Sequence, residues 1–340
     1  MLTRGKSVFT PVFSSRLAPV FSRYVDLKRA LGRRFDLPSR TLQSLDRFLH
    51  ERADKFLDLS AASFQAWCQT QGHLASGSRR KRMLEIFNFC LYRRRTNPQC
   101  FVPDPAWFPK PHQCIRPYIF SEQEVVRLLR AASELKRMSW SPVRPEVIRL
   151  ALILLFTTGI RLGELLRLTL SDYDVGNVTL LIRESKFHKS RLLPLNGSIA
   201  KEINRYLHAR AERELPLSAD TALISNAIKG GRAYSGRHLR DCLRYLLQQC
   251  SIFTSKGLLP RIHDARHSFA VNALLRWYRE GADVGAKLPL LATYMGHVSI
   301  VSTHYYLHWI EPLRTAAGER FARHYGELVV PLPGWKRGHR

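Results

Sequence analysis

The sequence predicts a two-domain protein of mainly α class: an N-terminal helical bundle, then an α+β domain whose β content is one small antiparallel sheet. Three observations lead there. Apolar residues recur at helical spacing through residues 17–95 and again beyond residue 121. Two short runs, residues 178–183 and 191–195, are instead rich in strand formers and flank a polar turn. Between the two helical regions, residues 97–117 carry Pro98, Pro103, Pro105, Pro109, Pro111 and Pro117, a stiff extended segment that α-helix cannot cross.

The elements follow in order. Leu17, Phe21, Tyr24, Val25 and Leu31 form the inner face of a first helix, with Lys28, Arg29, Arg33 and Arg34 outside it. After a stop at Pro38, Leu42, Leu45, Phe48, Leu49 and Phe56 repeat the pattern. Ser60 is placed to cap a third helix that turns Phe64, Trp67 and Cys68 inward. Residues 78–95 make a fourth, burying Met83, Leu84, Phe87, Cys90 and Leu91 between two basic clusters, Arg79-Arg80-Lys81-Arg82 and Arg93-Arg94-Arg95. On a compact helical domain those clusters are expected to contact phosphates.

The proline-rich segment sets the boundary: residues 1–112 form the first domain with a connector at 97–117, residues 118–326 the second, and 327–340 a basic tail. Ser121 with Glu124 carries a capping-box signature. Residues 145–156 are almost wholly apolar, a helix central to the core, ended by Thr157-Thr158-Gly159. Arg161 then opens a new helix with Leu162, Leu165, Leu166 and Leu168 on its buried side. Beyond the hairpin, helices are expected at 199–214, 236–249, 264–278 and 288–294, and a short one near Ser299.

Charge narrows the function classes. Lys+Arg of 54 against Asp+Glu of 27 gives a formal +27, which gathers a polyanion, nucleic acid above ribosomes or acidic membrane surfaces. Hydrophobic content of 45% argues for a folded body rather than a disordered basic tail. The 6 cysteines include no Cys-x-x-Cys pair and suit a reducing compartment. The longest apolar run, residues 150–156, is too short for a membrane span, and no export signal is evident, so an intracellular, cytoplasmic location is expected.

Several residues are typed and spaced for anion chemistry. Attack on a phosphodiester demands fixed cations around the phosphorus, and arginine's planar fork meets two oxygens at once. Arg161 and Arg266 each fall near a helix N-terminus, where free N–H groups add anion affinity. His263 and Arg266, one turn apart, share a helix face opposite Phe269, Ala270, Ala273, Leu274 and Trp277. His263 with His267 also has the spacing of a zinc pair but lacks a third ligand. Lys186 lies in the hairpin turn, and Tyr305 and Tyr306 follow the Gly296-His297 turn; each is equally compatible with a solvated lysine or a buried aromatic pair.

Together these stretches resemble the tyrosine recombinases, or phage-integrase family, over nearly the whole chain. The resemblance rests on Thr158-Gly159-Ile160-Arg161-Leu162-Gly163-Glu164-Leu165, on Ser185-Lys186-Phe187-His188-Lys189-Ser190-Arg191-Leu192-Leu193-Pro194-Leu195, on His263-Asp264-Ala265-Arg266-His267, and on Met295-Gly296-His297 with Tyr306 beyond it. It implies that Tyr306 attacks the scissile phosphate to leave a 3′-phosphotyrosyl bond and a free 5′-hydroxyl. Arg161 and Arg266 would clamp the phosphate, and Lys186 would protonate the leaving oxygen. His263 and His297 would assist proton transfer, with Glu164 in support. It also implies a C-shaped two-domain clamp on double-stranded DNA, with the N-terminal helices as the core-binding (SAM-like) domain. Four protomers would meet on two sites, exchanging a helix over residues 311–325, and no cofactor, nucleotide or metal would be required. The segment 277–289 resembles integrases borne by transposable elements, and a prokaryotic setting is expected. The hairpin departs from the family pattern at Ser185 and Phe187, which leaves Lys189 beside Lys186, and Tyr305 beside Tyr306 leaves a one-residue choice of nucleophile. Rival classes are a monomeric type IB topoisomerase, a DNA-binding regulator that has lost its chemistry, and a metal-dependent nuclease built on Glu164, Asp172 and Asp174.

Overall fold

A computed structural model describes residues 9–110, 116–183, 190–226 and 230–296. The chain divides into two compact units, Met1–Ile115 and Arg116–Arg340. Among the described residues their elements are overwhelmingly helical, with one three-stranded antiparallel sheet in the second unit.

The first unit is built from α1 (Ala18–Ala30), α2 (Asp36–His50), α3 (Ala61–Thr70) and α4 (Ser76–Arg94). Its core is aromatic: Phe21 stacks on Phe89 with centroids 4.4 Å apart, and Tyr24 meets the same ring edge-on at 5.5 Å. Ser60 caps α3 as expected, accepting from Ser63 N at 3.2 Å. Three expectations are corrected. Pro38 does not stop a helix; it sits in the first turn of α2, where backbone N–H groups have no intrahelical partner for a proline to remove. Leu31 is 64% exposed, because the chain leaves α1 at that residue and turns at Gly32, φ +76°. On α4 the buried face is Met83, Ile86, Phe89 and Cys90, while Leu84 and Leu91 face solvent. The face is rotated by about one residue, roughly 100° on the helical wheel, from the one the apolar pattern suggested.

The proline-rich segment is less of a free connector than its composition suggests. Asp104 caps a 3₁₀ turn at Pro105–Trp107, and Cys100 and Phe108 are buried in the first unit. Phe108 lies against Phe64 and Phe87.

In the second unit α5 (Glu122–Ser133) begins with the Ser121–Glu124 capping box. It packs on α6 (Arg144–Thr158), which is buried on nearly every side from Val147 to Leu155. The single-turn α7 (Leu162–Leu165) follows, buried at Leu165, with Leu162 and Leu166 packed at the core's edge. Strands β1 (Tyr173–Asp174), β2 (Thr179–Ile182) and β3 (Arg191–Pro194) then pair in sequence order, with Ile182 opposite Arg191 and Leu180 opposite Leu193. Leu180, Ile182 and Leu193 are the inward residues of this alternation. The layer is completed by α8 (Gly197–Ala211), α9 (Gly236–Gln249), α10 (Ile262–Arg279) and α11 (Val284–Met295). Helix α11 starts a turn earlier than expected, capped by Asp283, and accommodates Pro289 in its interior. Among the described residues no helix is long and apolar enough to cross a membrane.

Candidate active site

The site begins where α6 ends. Gly159 closes that helix at φ +60°, and a Cβ there would meet Phe269 Cδ1 at 2.5 Å, so both conformation and space require glycine. The chain turns at once into Arg161, just before α7. Glu164 anchors this arginine twice, accepting from its backbone N at 3.2 Å and from Nη1 at 2.7 Å. Arg161 Nη2 donates to Gly296 O at 2.8 Å, across 135 positions of sequence.

Glu164 is itself only 3% exposed. Burial would raise its carboxyl, but hydrogen bonding and charge from Arg191, followed by those from Arg161, outweigh it and hold the group below the usual carboxylate range. Arg191, on β3, donates from Nη2 to Glu164 at 2.8 Å and from Nε to Tyr294 O at 2.9 Å.

Arg266 approaches from α10. It is 2% exposed and donates to Gly159 O at 2.5 Å and to Met295 O at 2.8 Å. Three consecutive carbonyls at the end of α11, those of Tyr294, Met295 and Gly296, therefore each receive a different guanidinium: Arg191, Arg266 and Arg161. A helix C-terminus leaves its last carbonyls without intrahelical donors and carries the negative end of the macrodipole, so this end is a natural gathering point for cations. Gly296 terminates α11 at φ +69° and is backed by Arg191, whose Nη1 would lie 2.6 Å from a Cβ placed there.

His263 lies one turn before Arg266 on α10, and its ring meets that of His267 edge-on at 4.9 Å. It keeps an exposed edge, yet the protein behind it disfavours the imidazolium. Its pKa is lowered by desolvation, then by the charges of Arg266 and Arg261, with Asp264 opposing. His267 is pushed down to about 4, chiefly by burial and then by His263. Both shifts favour the neutral ring, which can accept a proton at one nitrogen and donate a hydrogen bond from the other. Among the described residues no three His, Cys, Asp or Glu side chains cluster as a metal site would need. Asp172, one of the carboxylates considered for a nuclease, is buried against Arg183 and Thr169.

Arg161, Glu164 and Arg266 are thus brought together around one helix end, with Arg161 and Arg266 both close enough to bear on the charge of His263. Lys186, with Lys189 beside it, and His297, Tyr305 and Tyr306 lie outside the described residues. Arg191 was not singled out from the sequence. The signal was present in the period-two pattern: Arg191 shares the inward face of β3 with the fully buried Leu193, and a cation on that face needs a buried partner.

The basic clusters of α4 divide. Arg93 is withdrawn from the expected phosphate-contacting set: its side chain is 8% exposed and pairs with Asp58 at 2.8 Å. Arg80 donates to Pro109 O at 2.8 Å, Arg82 bonds Gln71, and Arg79 is half-buried. Lys81, Arg94 and Arg95 remain exposed.

What the arrangement offers chemically is fixed positive charge on a rigid frame. Arg161 spends part of its five-donor fork on Glu164 and Gly296 and keeps a side chain 28% exposed, with donor capacity left for an anion. Such preorganised donors act on negative charge that develops around phosphorus.

Residues 119–311 match the model of the phage integrase family. The y4rB protein of Sinorhizobium fredii, which carries an integrase/recombinase name, is 31% identical over 303 residues, covering 89% of this chain and 96% of that protein. The tyrosine recombinase XerC of Listeria welshimeri is 32% identical over 162 residues, 47% of this chain and 49% of its own. Among solved structures, the XerH site-specific recombinase bound to palindromic difH substrate superposes with TM-score 0.61 at 19% identity, over 84% of this chain and 80% of that one. The Tn1549 transposon integrase in complex with transposon right end DNA gives 0.60 at 16% identity, over 89% and 99%. At such identities the two structures establish a shared fold.

Proposed function

The chain belongs to the phage integrase family, the tyrosine recombinases, and from that premise we propose that it breaks and rejoins DNA at specific sites through a covalent tyrosine intermediate. Tyr306 supplies the nucleophile. Its phenolic oxygen bonds the scissile phosphorus while the 5′-oxygen of the next nucleotide leaves, giving a 3′-phosphotyrosyl ester. Lys186 donates the proton that the leaving oxygen takes up. Arg161 and Arg266 stabilise the negative charge on the non-bridging oxygens, and His263 and His297 hydrogen-bond the phosphate and relay the phenolic proton. One ester replaces another, so the bond energy is kept and the reverse attack by a 5′-hydroxyl reseals the strand. Neither a nucleotide nor a divalent ion enters that balance.

The observation that carries this reading is the convergence of Arg161 and Arg266 on the last carbonyls of α11, immediately before His297 in the chain. An ionised phenol is rare at neutral pH, on the order of one in a thousand, so fixed cations beside the phosphate are what the reaction requires. The helical first unit, with exposed Lys81, Arg94 and Arg95, serves as the core-binding domain and contacts DNA phosphates. Four protomers act on two sites, and the strand exchange moves or resolves a mobile element; the integrase/recombinase name of the y4rB relative supports the second part alone.

The test is a set of nicked duplexes tiling the DNA that flanks the protein's own gene, resolved on a denaturing gel. The full-length protein is expected to form a covalent adduct that persists in EDTA, and Tyr306→Phe to bind the same duplex without one. An adduct formed by Tyr306→Phe moves the nucleophile to Tyr305; a strict magnesium requirement overturns the mechanism.

A further inference from the structure

Arg191 is bonded to both halves of the site yet is almost wholly withdrawn from solvent. Its side chain is 10% exposed, and it joins Glu164 to the carbonyl of Tyr294. Its Nη1 is buried without a hydrogen-bond partner among the described residues and lies against Gly296. Burying a guanidinium with an unpaired nitrogen is costly, and an apolar residue on the inward face of β3 beside Leu193 would pack at less expense. A fold that needed only stability at this point is better served by leucine. What arginine adds is a rigid fork that fixes two partners at once.

We infer that Arg191 is a positioning residue, which sets the guanidinium of Arg161 against the end of α11 by holding Glu164 with one arm and Tyr294 O with another. Glu164 is shared, one oxygen serving Arg161 Nη1 and the other Arg191 Nη2. Losing Arg191 frees Glu164 to swing with Arg161 and frees the helix end that Arg161 also grips through Gly296 O. A shift of about 1 Å in such a group lowers rate by on the order of 10²-fold, even though every group that touches the substrate is still present. This inference rests on the recombinase reading of the site.

The test compares Arg191→Lys and Arg191→Ala with the full-length wild type on the same tiled nicked duplexes, measuring DNA affinity and the rate of adduct formation separately. Affinity is expected to stay within about threefold while the adduct rate falls roughly 10- to 100-fold, with lysine the milder because it keeps charge but not the fork. Combining Arg191→Ala with Arg161→Ala should be no slower than Arg161→Ala alone. An unchanged rate, a loss of affinity equal to the loss of rate, or additive losses overturns the inference. If alanine prevents folding, lysine alone carries the comparison. If the wild type forms no adduct on any duplex, the recombinase reading fails, and amide hydrogen exchange decides the role of Arg191. Faster exchange over residues 284–296 in Arg191→Lys, with residues 144–158 unchanged, supports it; equal exchange refutes it.

Discussion

Arg161 and Arg266 donate to adjacent carbonyls, Gly296 O and Met295 O, each at 2.8 Å, yet one side chain is 28% exposed and the other belongs to a residue that is 2% exposed. The same helix end is therefore gripped by one cation that solvent reaches and one that is part of the core. Arg161→Ala and Arg266→Ala should each lower adduct formation by about 10²-fold or more. Arg266→Ala should cost the more stability, about 2–4 kcal/mol, since it strips a fully buried donor pair from Gly159 O and Met295 O, whereas the fork of Arg161 is partly solvated. Chemical denaturation of the two variants distinguishes them, and matching midpoints would contradict the difference in burial.

Glycine substitutions separate backbone strain from crowding. Gly281, φ +72°, has open space where a Cβ would go, so Gly281→Ala should cost only the conformational penalty of about 1 kcal/mol. Gly159→Ala adds the collision with Phe269 and should cost about 1–3 kcal/mol more. Urea midpoints at constant slope provide the comparison.

Salt dependence of DNA binding should sort the arginines of α4. Removing an exposed cation that meets a phosphate, tested by Lys81→Ala, Arg94→Ala and Arg95→Ala, is expected to reduce the log–log salt slope by about 1 each. Arg93→Ala should leave the slope unaltered and lower stability instead, because it breaks the pair with Asp58. A slope change with Arg93→Ala would return that residue to the DNA surface.

Acid should weaken the second unit through His267. Its pKa is about 4 in the folded protein against an ordinary 6.5, so between these values the unfolded chain binds more protons than the folded one. The stability it contributes is complete above pH ~6.5 and is lost as pH falls towards ~4, a change on the order of 3 kcal/mol. Denaturation midpoints from pH 7 to 4 should fall less steeply in His267→Gln; a parallel slope would place the acid sensitivity elsewhere.

Local signals read correctly where the cause was local. The N-cap at Ser60, the capping box at Ser121, the glycine stop at Gly159 and the all-apolar α6 each depend on neighbours a few residues away. They went astray where packing chose between neighbouring faces, as on α4, where Ile86 and Phe89 displaced Leu84 and Leu91. Pro38 misled because a proline in a first turn and a proline after a last turn look alike in one dimension. Arg93 and Arg191 were misread or passed over for a common reason: an arginine's partner, here Asp58 or Glu164, stands far along the chain.

The residue order by itself carries the basic excess and the helical and strand periods, which are properties of composition and spacing, and the stretches whose resemblance to the family singles out Arg161, Glu164, His263 and Arg266. It does not say which guanidinium meets which carbonyl. Arg161 reaches Gly296 over 135 positions, Arg191 reaches Tyr294 over 103, and Arg266 reaches Gly159 over 107. Contacts of that range exist only once α6, β3, α10 and α11 are packed, because the unsatisfied carbonyls that collect the arginines are made by the end of a folded helix.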